Sequence, residues 1–198
     1  MMLIEETTVP DAALPVEQFK AHLRLGSGFG PDSVQDAVLV SFLRAAVAAV
    51  EARTGKVLIE RDFVLSVSAW RAADVQVLPV APVCAVTAMT GVDRAGVRVD
   101  VAPDVFWLQR DAHQPRVRSV AYALPPVPVA GAMEIAFRAG FGVGWADVPA
   151  DLAQAVMLLA SHYYEFRHET TLSEGCMPFG VTSLIERYRV MRLGGRVT

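Results

Sequence analysis

The chain has 198 residues, 53% hydrophobic and 20% charged, which is enough for one packed core with a sizeable insertion and excludes wholesale disorder. Its net charge of −3 exerts no global pull on nucleic acid or an anionic membrane. Cys84 and Cys176 are lone thiols, so neither a zinc ribbon nor a disulfide framework is indicated.

In chain order, Met1 to Glu6 is acidic and has no basic-then-apolar signal pattern, and no apolar run reaches the roughly eighteen residues of a membrane span. A chain made and assembled in the cytoplasm is the expectation. Pro15 to Leu25 predicts a helix, with Pro in its first turn and Val16, Phe19 and Leu23 at helical spacing. Ser27 to Pro31 breaks it. Asp32 is a predicted N-cap with Gln35 as its capping-box partner. Leu39, Phe42, Leu43, Ala46, Val47 and Val50 then form the stripe of a second helix, which Gly55 closes in a left-handed conformation.

The period then changes. Phe63–Val67 and Val75–Leu78 alternate as strands do, and Pro79 and Pro82 stop the second. Further β-rich runs are Val83–Met89, Val97–Val101, Val105–Leu108, Val117–Ala123 and Met133–Phe137, with Asp93–Gly96 as a hairpin loop. Short strands at this spacing predict a small sandwich or barrel of roughly 80 residues. From Val148-Pro149-Ala150-Asp151 a third helix carries Leu152, Val156, Leu159, Ala160 and Tyr163 on one face and ends in the charged run Glu165–Glu169. After a loop from Thr170 to Gly180, Leu184, Ile185, Tyr188 and Met191 predict a last amphipathic helix.

Neither terminal helical pair buries its apolar face alone. The expected fold is therefore α+β: a four-helix core from residues 1–60 and 145–198, with residues 61–144 inserted as a β-sandwich or barrel-like module.

Three constellations invite an enzymatic reading. Gly140, Gly142 and Gly144 sit between a strand and a helix, but they read GxGxG with Trp145 following, and no second strand brings an acidic ribose ligand. His162, Glu165 and Glu169 share a helical face, yet no other helix offers the Glu-x-x-His of a di-iron bundle. Cys176, with His162 or His168, matches no nucleophile signature. His22 and His113 suggest no partner. No catalytic residue, metal or cofactor is expected, and a metal- or cysteine-dependent enzyme is the remote alternative.

One charge pattern stands out. From Arg187 to Thr198 the chain carries four Arg and no acid, mixed with Tyr188 and Met191, a composition enriched in protein interfaces. Arg187, Tyr188, Arg189 and Arg192 are the candidate binding residues. Across the whole chain sixteen Arg stand against Lys20 and Lys56, which with abundant Ala and Val suggests the GC-rich coding of a bacterium or its prophage.

A series of landmarks runs in order along nearly the whole chain. They are Phe19–Leu25, Val50–Gly55 with Val57–Ile59, Leu78–Val83, Phe137–Gly142, Val148–Leu152, Ala160–Arg167, Pro178–Val181 and Tyr188-Arg189. In this arrangement the chain resembles the phage head–tail connector (adaptor) family, in the variety with a β insertion between its second and third helices, and is similar to the adaptors of gene transfer agents. The resemblance implies a dodecameric ring docked under the portal protein, a platform for the next tail component (stopper or tail terminator), and a central passage for DNA without sequence recognition. Another virion component, such as a tail-completion protein, is the alternative within this class. Arg187, Tyr188, Arg189 and Arg192 are the expected portal-binding residues.

Overall fold

The computed structural model describes residues 1–24, 33–167 and 177–189. It divides into two compact units, one of residues 1–13 and 56–147 and one of residues 14–55 with 148 onward. Strands make up the first, helices the second. The first thirteen residues, expected with the helices, group with the strands.

The helical unit contains, among the described residues, α1 (Val16–His22), α2 (Ser33–Thr54), α3 (Ala150–Glu165) and α4 (Phe179–Ile185). On α2 the buried apolar residues are Leu39, Leu43, Ala46, Val47 and Val50, the spacing of one face of a 3.6-residue helix. Leu152, Val156, Leu159 and Ala160 form the matching stripe of α3. α2 packs on α3, and α3 on α4, so helices from both halves of the chain share contacts. Phe42 and Tyr164 meet edge-on across the first of these, ring centroids 6.1 Å apart. α1 lies on α2 with Phe19 fully buried, and Lys20 bridges Glu17 at 2.9 Å and Asp36 at 2.7 Å. Gly55 ends α2 at φ +67° and donates its N–H to the Glu51 carbonyl, as its position predicts. The expected cap Asp32 lies outside the described residues.

The strand unit opens with β1 (Met2–Glu5), an element the sequence does not announce. It is followed by β2 (Arg61–Val67), β3 (Val75–Val77), β4 (Val83–Val92), β5 (Arg98–Asp100), β6 (Phe106–Gln109), β7 (Arg116–Ser119) and β8 (Ala132–Ala139). They form two antiparallel sheets, one of order β1-β2-β8-β4-β5 and one of order β3-β7-β6. The fold is α+β.

Alternation sets the register. Phe63, Leu65 and Val67 of β2 are buried and lie opposite Phe137, Ile135 and Met133 of β8, which are buried too. A slip of one residue in either strand would turn its three buried residues to the opposite face, so the pairing is strongly specified. Phe63 and Phe137 stack at 5.6 Å. Phe106 of β6 and Val117 of β7 enter the same hydrophobic cluster, so the two sheets share a core. β1 runs antiparallel to β2, with Leu3 opposite Leu65 and Glu5 opposite Phe63. Glu5 pairs with the buried Arg61 at 2.8 Å, and the Thr7 hydroxyl accepts the Asp62 N–H. No helix among the described residues is long and apolar enough to cross a membrane.

Candidate assembly surfaces

The C-terminal basic segment begins differently from its sequence pattern. α4 stops at Ile185 and tightens into a 3-10 turn over Glu186–Tyr188, and Arg189 is extended at φ −71°, ψ 132°. The amphipathic helix expected to continue through Tyr188 toward Met191 therefore ends early. Its end is captured by α3: the Tyr188 hydroxyl donates to Asp151 Oδ1 at 2.7 Å, and Arg187 pairs with Asp151 Oδ2 at 2.7 Å. Arg187 also donates to the Tyr188 hydroxyl at 2.5 Å and lies 4.7 Å from the centre of that ring. Partial burial pushes the Tyr188 phenol up from its usual range, while the Arg187 guanidinium pulls the other way. Arg189 pairs with Glu186 at 3.1 Å. Of the four candidate binding residues, three are thus held in local pairs. The fourth, Arg192, lies outside the described residues.

The positions that invite enzymatic readings serve the fold. Gly140 sits at φ +146°, and a Cβ there would lie 2.3 Å from Glu60 Cα, so this glycine lets two backbones meet. The Gly142 carbonyl accepts the Glu60 N–H, and the Gly144 N–H is taken by Asp147, leaving the glycine run tied to its own unit. His162 packs on Phe166 at 4.6 Å, and Glu165 is exposed. Glu169, His168 and Cys176 lie outside the described residues. Among the described residues no group of His, Cys, Asp or Glu is arranged to hold a metal ion. Cys84 lies 3.5 Å from Glu60 Oε2 and 3.3 Å from the Gly140 carbonyl, and burial pushes its thiol up. His113, for which the sequence suggests no partner, has Nδ1 3.1 Å from the buried Lys56 ammonium, which also donates to the Ala112 carbonyl. A groove of about 380 Å³ between β4 and β6 has Asp100 as its ionisable lining residue, and that carboxylate accepts the Thr90 hydroxyl at 2.8 Å. One occupied carboxylate does not supply an acid and base pair.

What the strand unit does expose is apolar edge. Every residue of β1 is exposed, with Met2 at 58% and Leu3 and Ile4 near two-fifths. At the opposite end of the same sheet β5 is equally exposed, with Val99 at 65% and Val97 just before it at 56%. Tyr122 and Val129 stand almost fully in solvent on the connection between β7 and β8.

No family model matches the sequence, and no curated protein matches it. Solved structures do. The chain resembles one from the neck of an empty gene transfer agent (GTA) particle computed with C6 symmetry, at 53% identity and a TM-score of 0.90, over 99% of this chain and 100% of that one. A chain from the neck of the native GTA particle computed with C12 symmetry matches at 50% identity and a TM-score of 0.85, with the same coverage. A chain from the virion of the native gene transfer agent particle matches at 53% identity and a TM-score of 0.87, again over 99% and 100%. With half of its residues identical across the full length of both chains, the protein belongs to the family of head–tail connector (adaptor) proteins found in the neck of gene transfer agent particles.

Proposed function

We propose that this chain is the subunit of a ring, dodecameric in the assembled particle, that docks under the portal protein, carries the next tail component and surrounds the DNA passage. The observation that carries the reading is full-length likeness to neck chains solved with C12 and C6 symmetry. A closed ring follows when each copy offers two different, complementary faces and the rotation between neighbours closes. The work of such a protein is geometric, DNA passes without sequence recognition, and no residue is assigned a chemical step. Assembly takes place in the bacterial cytoplasm and the protein ends in the particle. In this reading helices from both chain ends make the connector core, with residues 61–144 inserted as a small β-sandwich. The packing of α2 on α3 supports it.

The portal contact is assigned to the C-terminal segment, at Arg187, Tyr188, Arg189 and Arg192. Its composition suits an interface, and the Asp151 clasp supports a fixed point of departure for residues beyond 189. Deleting residues 187–198 is expected to leave the strand unit folded and to abolish attachment to DNA-filled heads. Counting adaptor copies in purified heads tests this. Normal occupancy with altered DNA retention or ejection would move these arginines to the channel wall.

A further inference from the structure

We infer that neighbouring copies in the ring join by strand addition, the β1 edge of one copy lying alongside the β5 edge of the next. The inference rests on the ring reading above and supplies its subunit contact.

An exposed apolar strand edge is a template for pairing, and proteins that must not pair blunt such edges with Pro, Lys, bulges or covering loops. β4 follows that rule: its stretch beyond the β5 pairing is broken by two register shifts, between Val83 and Ala85 and between Val86 and Ala88. β1 does not. Met2-Leu3-Ile4-Glu5 pairs with β2 on one side in unbroken register and has no Pro, Lys or bulge. β5 has no bulge or Pro either; it is only three residues long, and its charged residues are engaged, Arg98 with Glu134 at 2.5 Å and Asp100 with the Thr90 hydroxyl at 2.8 Å, which leaves Val99 as its apolar contact.

The two edges also match in face and direction. Leu3 lies opposite Leu65, which is in the core, so it projects on the core-facing side. Val99 lies opposite Gly91, which lies opposite the buried Met133, so it projects on that same side. Aligning Leu3 with Val99 brings Met1 beside Val97, and the apolar layer of one copy continues into the next. The sheet has five strands with every neighbour antiparallel, so β1 and β5 run in the same direction. A joint that continues the sheet from copy to copy is therefore parallel and relates different edges, as a rotation about a ring axis requires. A two-fold dimer would instead pair β1 with β1, antiparallel.

Adjacent strands lie about 4.8 Å apart, within the span a disulfide bridges. The test is the double variant Leu3→Cys, Val99→Cys with Cys84→Ser and Cys176→Ser, made in particle-producing cells and mildly oxidised in purified particles. The expected result is a non-reducing ladder of linked multimers rising toward the full ring, absent from either single cysteine variant. Monomer alone, at normal adaptor copy number, overturns the joint while leaving the ring reading standing. A dimer from Leu3→Cys alone overturns it in favour of a two-fold contact. Absence of the otherwise native chain from particles overturns the ring reading, and this inference with it. Introducing complementary charges gives a second readout that does not depend on oxidation. Leu3→Lys or Val99→Asp alone is expected to lower adaptor occupancy several-fold, and the two together to restore it. A double variant no better than the singles counts against the joint.

Discussion

Cys84 shows how the surroundings of a thiol favour its protonated form. Burial raises its pKa first, and the contact with Glu60 raises it further by favouring the protonated thiol. The folded-state pKa lies above the unfolded one, so the thiol's contribution to stability is intact at neutral pH and is lost as pH rises through the folded value, above the ordinary thiol range. Because only the thiolate attacks, alkylation of Cys84 by iodoacetamide at pH 8 is expected to be slower in the folded protein than in urea by roughly tenfold or more. Peptide-resolved mass spectrometry measures both rates, and equal rates would show that the thiol is not shielded. The same pairing logic acts at the C-terminal segment, with a different lesson. Arg187 and Tyr188 read from composition as free interface residues, yet both are tied to Asp151, a residue at the start of α3. Composition carries no record of a partner that distant in sequence.

At the scale of elements, the helices and most strands were legible because their signals are local. The stripe Leu39, Leu43, Ala46, Val47 and Val50 repeats with the helix period, and Phe63, Leu65 and Val67 alternate with the strand period. β1 was not legible, because Met2–Glu5 does not alternate and becomes a strand only by borrowing the ladder of β2. The sequence predicts too long a last helix, because the turn that follows Ile185 is tied through the Tyr188 hydroxyl to another element. The glycines divide in the same way. Gly55 was legible as a helix stop, whereas the need for glycine at position 140 comes from Glu60, on a segment far away in sequence. Both have positive φ, but nothing lies within 4 Å of a Cβ on Gly55, while one on Gly140 would lie 2.3 Å from backbone. Gly55→Ala is therefore expected to cost about 1 kcal/mol, the backbone strain alone. Gly140→Ala is expected to cost about 3 kcal/mol or more, lowering the melting midpoint by roughly 6–12 °C. Calorimetry of the two variants decides it, and equal losses would mean that the close approach at Gly140 relaxes freely.

At the scale of the whole molecule, function depends on repetition. The proposed joint between copies sets a strand edge of four residues against one of three, and parallel pairing is the weaker kind per residue. A contact of that size falls well below the roughly 1,200–2,000 Å² of a stable pairwise interface, so it does not close a ring at ordinary concentrations unaided. A portal ring changes the arithmetic. Each docked copy holds its neighbours at high effective concentration, so every joint after the first becomes intramolecular. The isolated protein is therefore expected to run as a monomer or small oligomer at micromolar concentration, and to form a closed ring when purified portal is added. Light scattering of the protein alone, of portal alone and of the mixture measures this directly. A stable ring without portal would mean that the subunit contact is far larger than one strand edge. A monomer that never associates with portal would mean that the template is some other part of the particle.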